Sequence, residues 1–359
     1  MTISDKLLVA HWRPAGFDYL RIFLAFCVVF THIFGITLDG DVAKSVFGGL
    51  ARPLEAFILP MFFSLSGFLV AGSLVRSETL VSFFGLRVLR LLPALAVEIM
   101  LSAFVIGPLF TQLPLREYFT QRGFYTYFLN LVGRIHYELP GVFTTNTYPN
   151  IVNQQLWTIP WELDCYILLG LASVLGLIKL PRIFLAGVVA VHFLFLALHG
   201  ADFEGGSSVQ GYALVLSFLA GVAIFLFKDR LPWSPTLGAI SAIAIYLLLL
   251  VPYGDNFVSA PAAYFTVFLG VTNPSRARLL LSGDYSYGLY LYGFPIQQAF
   301  ASIWPGLNIS ALVAVFVAML FACFSWWCVE LPTLKLRSFL PKARLGEIKR
   351  RESPVPVPD

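Results

Sequence analysis

Residues 17–35 read FDYLRIFLAFCVVFTHIFG, an apolar run interrupted by Asp18, Arg21 and His32. About 20 mostly apolar residues suffice to cross a bilayer as a helix. Arg21 and His32 are separated by about 16 Å of helical rise and close to three full turns, so both point to one face. Asp18 precedes Arg21 by three residues and is placed to pair with it. Ionisable groups within a span are costly and default to a functional reading. The imidazole is the natural proton acceptor near neutral pH. A structural alternative stays open, with Arg21 reaching the inner headgroups and His32 bonding a neighbouring carbonyl.

The rest of the chain repeats the apolar character of this stretch. Of 359 residues, 58% are hydrophobic and 12% charged, against about 45–50% and about 25% in a typical soluble chain. The mean hydropathy is +0.79. These values exclude a disordered protein, a coiled coil, a collagen-like chain and a nucleic-acid binder. They also argue against a soluble enzyme, because too little polar surface is available to cover one. The fold class expected is all-α, a polytopic membrane bundle.

Ten candidate spans are found, at about 17–38, 53–73, 91–111, 152–176, 183–199, 211–227, 236–252, 257–271, 284–303 and 308–330. With the N-terminus in the cytoplasm, 18 of the 24 Lys and Arg residues fall inside, five outside, and Arg21 within the first span. That asymmetry predicts both termini inside. No cleavable signal peptide is expected before the first span. The organisation expected is a cytoplasmic segment 1–16, a membrane domain 17–337, and a basic, Pro-rich cytoplasmic tail 338–359 that contacts anionic lipid. The four cysteines lie in apolar runs without metal-ligand or disulfide spacing, so no metal is expected.

Further polar interruptions mark candidate sites. In NQQLWTIPWELDCYI (153–167), Glu162 falls early in the fourth span, near the outer face. It is placed to orient His32, to bind an acceptor hydroxyl, or to pair with a base. In FFGLRVLRLLP (83–93), Arg87 and Arg90 lie on an amphipathic turn beside Arg76 at the inner face. Two guanidiniums on one side suit a phosphate-bearing ligand, and the inner-face bias alone would also put arginines there. SLSGF (64–68), with Ser66, suits close helix packing. Glu330 stands at the inner end of the last span, in reach of an inner arginine. The connector 112–151, with Tyr125, Tyr127, His136, Tyr137 and Tyr148, together with Asn153, suits either an aromatic interface belt or a sugar-binding cap. No nucleophile elbow, P-loop or dinucleotide fingerprint is present, nor an internal repeat of the kind many transporters show.

Taken in order, these pieces resemble the membrane-bound acyltransferase-3 family of bacterial O-acyltransferases, over about residues 14–337. Asp18, Arg21 and His32 match its first-span pattern, Phe63–Phe68 its FxLSGF segment, and Arg87, Arg90, Leu91 and Pro93 its basic stretch. Leu156, Trp157 and Glu162 match its LW…E segment, Ser286, Tyr287, Tyr290 and Leu291 its late aromatic segment, and Glu330 and Pro332 its ending. One departure stands out: Gly293 occupies the place where members often carry a histidine before proline. The extracytoplasmic domain that many members carry is not expected here, so transfer straight from the membrane domain to a glycan is the simpler expectation, with a separate partner as the alternative.

The resemblance implies acyl transfer from cytoplasmic acyl-CoA, acetyl-CoA first and succinyl as the alternative, to a hydroxyl of an extracytoplasmic glycan. Exopolysaccharide, O-antigen and lipo-oligosaccharide are the acceptor classes, and the bacterial inner membrane is the expected location. No bound cofactor is implied. The catalytic candidates are His32, Arg21 and Glu162. Candidates for donor or substrate binding are Asp18, Arg87, Arg90, Ser66, Trp157, Tyr287 and Glu330. His32 would act as general base or carry the acyl group itself. A secondary transporter or flippase without acyl transfer is the competing reading, and a scaffold without chemistry a third.

Overall fold

The computed structural model describes residues 1–199, 209–277 and 281–340. Arg278, the tail cations beyond Leu340 and the Pro-rich end lie outside the described residues. Among the described residues the chain is helical, and β pairing is confined to three isolated bridges. A short helix, α1 (Ile3–Val9), precedes ten longer ones. These are α2 (Ala15–Thr37), α3 (Ile58–Arg76), α4 (Leu80–Leu101), α5 (Thr158–Val174) and α6 (Pro181–His199). They continue with α7 (Gly211–Leu226), α8 (Pro235–Leu250), α9 (Ser259–Gly270), α10 (Ser286–Ile303) and α11 (Ile309–Ser325).

Each of the ten apolar stretches overlaps one of these helices, by only about half its length in the third. Five segments have the length and hydropathy of a membrane crossing: Ala15–Thr37, Gly49–Arg76, Leu80–Phe110, Pro181–Leu198 and Ile309–Phe339. The protein is therefore a multi-pass membrane protein. The helices α5, α7, α8, α9 and α10 run 12 to 18 residues, in the expected positions but shorter than most full spans. The third stretch differs from expectation. Arg87 and Arg90 are not on a separate turn; α4 starts at Leu80, where the Thr79 hydroxyl accepts the Ser82 N–H at 3.1 Å. That cap starts the helix early and carries both arginines within it. Pro93 sits inside α4 and, although it withholds one backbone donor, does not end it.

The closest helix packing joins α3 to α7. A Cβ on Gly67 would stand 2.0 Å from the Phe218 carbonyl oxygen, and one on Gly221 would stand 2.1 Å from that of Ser64. Two glycines thus let the backbones touch, as small residues do in membrane interfaces. A second close approach joins α2 to α10, where a Cβ on Gly293 would meet Val29 at 2.6 Å. Val29 lies on α2, three residues before His32. Pro295 within α10 releases the Leu291 carbonyl from its helical partner. The Gln155 side-chain amide takes that carbonyl at 2.7 Å.

The N-terminus folds back on the bundle. The Ile3 N–H donates to Leu231 O at 3.0 Å, and Lys6 lies 3.8 Å over the Trp233 ring. The chain then reverses through His11 and Trp12, at φ 49° and 59°. Left-handed backbone is uncommon outside glycine and costs about 1–3 kcal/mol per residue.

The connector after α4 is only partly a surface cap. Tyr125 is exposed, but Tyr127 and Asn153 are fully buried against Glu98 of α4. Glu98 accepts from Ser102 Oγ and Asn153 Nδ2, both at 2.7 Å, and Asn153 also bonds the Tyr127 hydroxyl. Buried polar groups are held by such partners. The network clamps α4 to the connector, which removes Tyr127 from any sugar-facing surface. Of the four cysteines only Cys165 is fully buried, and Cys328 is exposed.

Replacing Gly67 by Leu forces a branched side chain into backbone atoms of α7. We expect a loss of at least about 2 kcal/mol from overpacking, read as a lower thermal midpoint and a broadened size-exclusion peak in detergent. The adjacent Ser66→Ala, away from that contact, should leave both unchanged.

Candidate active site

Two cavities form at opposite ends of α2 and α3. The first, of about 430 Å³, is lined by Arg21, Ser66, Arg87, Arg90, Glu162 and Tyr287 among others. The second, of about 330 Å³, holds His32, Tyr148, Gln154 and Trp157. Leu59 and Tyr290 line both and form the wall between them. The Tyr290 hydroxyl is fixed in that wall, donating to Gln155 O at 2.6 Å and lying 2.6 Å from Thr158 Oγ1.

The face shared by Arg21 and His32 thus spans two compartments. At the first, Asp284, just before α10, receives two guanidiniums on one oxygen: Arg21 at 2.6 Å and Arg90 at 2.5 Å. Its other oxygen accepts from Ser286 Oγ at 2.6 Å. Asp18 pairs with Arg21 at 2.8 Å, as its spacing predicts, and with Arg276 at 3.3 Å. Arg21 and Arg90 are therefore largely neutralised. Three other guanidiniums line the same cavity: Arg76, Arg87 and Arg337. Among the described residues none of the three has a carboxylate within ion-pair distance. Arg87 reaches Ser73 Oγ at 3.3 Å, and its Nε is buried without a partner. Unpaired guanidinium forks of this kind match phosphate oxygens.

Glu162 accepts the Tyr166 hydroxyl in the first cavity, with Arg87 and Arg90 as its nearest opposite charges. It shares the arginines' compartment and is not brought to His32. Ser66 and Tyr287 line the first cavity, and the Tyr287 hydroxyl donates to Leu91 O at 3.0 Å. Trp157 instead lines the second cavity, beside His32. Glu330 is buried apart from both cavities and accepts from Ser325 Oγ at 3.0 Å. Among the described residues Glu330 has no ion pair with an arginine, and Arg90 is paired with Asp284 instead.

His32 is half-buried, its ring edge against Phe294 at 5.2 Å between centroids. Among the described residues it has no carboxylate or carbonyl partner, so its ring nitrogens are free to meet a ligand. Opposite, burial raises the Tyr148 phenol above its ordinary value while the Gln154 side chain pulls the other way. Tyr148 stays a neutral hydrogen-bond donor. Gly293, which departs from the family pattern, is packed against Val29 and leaves no room for a second histidine.

Sequence reasoning missed two carboxylates. Asp284 looked like an ordinary residue at a helix margin; a lone acid opposite a cluster of inner arginines was the available signal. Glu98 lay inside an apolar run, where the rule for ionisable groups in spans would have flagged it. Arg337 was counted only for topology.

Comparison with known proteins places the chain. The acyltransferase domain family matches residues 15–328. An O-acetyl transferase of Shigella phage Sf6 is 28% identical over 88% of this chain and 94% of its own length. Nodulation protein 10 of Rhizobium leguminosarum bv. viciae is 29% identical over 92% of this chain and 96% of its own length. No solved structure matches at a significant level. With the family pattern spanning all but the two ends, the chain belongs to the acyltransferase-3 family and is an O-acyltransferase.

Proposed function

We propose that the protein moves an acyl group, acetyl in the first instance, from cytoplasmic acyl-CoA to a hydroxyl of an extracytoplasmic glycan. One observation carries this reading: a cavity with unpaired guanidiniums and a cavity with an unencumbered histidine meet end to end at Leu59 and Tyr290. The relative named an O-acetyl transferase supports acetyl as the group. The excess of Lys and Arg on one side supports placing the arginine cavity at the cytoplasmic face.

The donor pyrophosphate lies against Arg87 and Arg337, and its arm runs along α2 toward the wall. The helical rise of about 16 Å between Arg21 and His32 matches the reach of an extended pantetheine arm. The thioester carbonyl reaches the wall, and the acceptor hydroxyl approaches from the second cavity. His32 takes the hydroxyl proton as the oxygen attacks the carbonyl carbon. The carbon–sulfur bond then breaks, and the departing thiolate receives the proton. Ester and free CoA are the products, and the imidazole returns neutral. Trp157 and Tyr148 present aromatic faces that suit a sugar ring, with Gln154 beside them for its hydroxyls.

His32→Ala should lower acyl transfer to the surface glycan by about 10²–10⁴-fold, while the protein still reaches the membrane; mass spectrometry of the glycan checks this. Full activity would remove His32 from the chemistry. Arg87→Ala should raise KM for acetyl-CoA about tenfold or more, the worth of a charge-assisted hydrogen bond, with kcat changed less. Steady-state kinetics on purified protein separate the two constants. Leu59→Trp thickens the partition at which the two cavities meet. Transfer should fall at least about a hundredfold while acetyl-CoA affinity, measured by calorimetry, stays within about threefold.

A further inference from the structure

A third cavity, of about 320 Å³, opens beside the first toward the start of α2. Arg21, Leu69 and Arg76 line both, so the two adjoin along these residues. Trp12, Arg13 and Arg276 complete its polar and aromatic lining. We propose that this third cavity seats the nucleotide end of the acyl-CoA donor, with the adenine stacked on Trp12 and the ribose 3′-phosphate held by Arg13 and Arg76. The inference rests on the donor reading above and extends it to residues outside the family motifs.

Three independent features converge. The first is the backbone. His11 and Trp12 both adopt left-handed conformations, a rare state for two successive non-glycine residues. Strain of this kind persists only where the surroundings enforce it, and it collects at ligand sites. Here the Trp12 N–H donates to Leu7 O at 2.7 Å and the Arg13 N–H to Ala10 O at 2.9 Å. The enforced turn delivers the indole to the cavity rather than to the bundle core. Trp12 is 42% exposed, and no ring among the described residues stacks on it. An indole face is a general platform for a nucleobase.

The second feature is charge. Arg13, Arg21, Arg76 and Arg276 line the cavity against one carboxylate, Asp18. Asp18 is already shared by Arg21 at 2.8 Å and Arg276 at 3.3 Å. Arg276 also donates to the Arg13 carbonyl at 3.1 Å, which ties the loop before α9's successor to the strained turn. Arg13 and Arg76 are left without a carboxylate partner among the described residues. The compartment therefore suits a dianion.

The third feature is order. An acyl-CoA presents, in sequence, an aromatic base, a phosphate cluster, a flexible arm and a thioester. The adjoining cavities present Trp12, then Arg13 and Arg76, then Arg87 and Arg337, then the wall at Leu59 and Tyr290. A membrane-anchoring tryptophan would need neither the flanking guanidiniums nor the adjoining first cavity.

The test uses the full chain in lipid nanodiscs. Adenosine 3′,5′-bisphosphate binding is measured by calorimetry, and KM is measured for acetyl-CoA and for S-acetyl-pantetheine, which lacks the nucleotide. Trp12→Ala should weaken bisphosphate binding at least tenfold, and Trp12→Phe should restore it to within about threefold. The ratio of KM for acetyl-CoA to KM for S-acetyl-pantetheine should rise about tenfold in Trp12→Ala and Arg13→Ala. Absence of bisphosphate binding to the unmodified protein overturns the proposal. So does equal affinity in Trp12→Ala, or an equal rise of both KM values, the pattern of a membrane anchor or of general damage. Trp12-dependent bisphosphate binding by a protein that consumes neither donor would leave the nucleotide site standing and remove the acyl-transfer reading instead.

Discussion

One oxygen of Asp284 holds two arginines from two different helices, and one end of the helix bundle is arranged around that contact. Arg21 belongs to α2 and Arg90 to α4, and Asp284 precedes α10. Three elements far apart in the chain are drawn to one point. Removing the carboxylate would leave two partly buried guanidiniums facing each other, the costly half of a broken ion pair. The pairing also sorts the cations. Arg21 and Arg90 are held by Asp284, and Arg76, Arg87 and Arg337 line the same cavity with no carboxylate partner among the described residues.

That sorting changes the meaning of the basic motif in α4. Its two arginines, three residues apart, appear equivalent from their spacing. In the folded protein Arg90 is committed to Asp284, whereas Arg87 carries a buried Nε without a partner. The same residue type at the same cavity thus performs two jobs, decided by which one can reach a carboxylate. Glu162 completes the local balance, since it sits with the arginines, whereas the charged residues lining the His32 cavity are Lys44 and Glu55.

Legibility in the sequence followed the range of the interaction. Within α2, helix geometry alone placed Asp18 against Arg21 and set Arg21 and His32 along one face, because all three lie on a single rigid element. The apolar runs located every long helix, since burial in lipid or in the bundle requires them. The start of α4 was missed because its cap, Thr79, looks like loop and its arginines lower the apolar signal. Asp284 was missed because its partner Arg90 is 194 residues away, a distance no local pattern encodes. Tyr127 and Asn153 looked like surface residues until Glu98 supplied the reason for their burial. The second cavity was legible at His32 and Trp157 but not at the wall, whose members are an ordinary leucine and tyrosine.

The proline in α10 has a further consequence. Pro295 frees the Leu291 carbonyl, Gln155 captures it, and the Gln155 backbone in turn holds the Tyr290 hydroxyl. The partition between the cavities is therefore stapled to a helix irregularity and does not rest on side-chain packing alone. The staple thus fixes the height of Tyr290 between the cavities through the backbones of two elements, so a change at Pro295 would move the meeting point of the cavities without touching either lining.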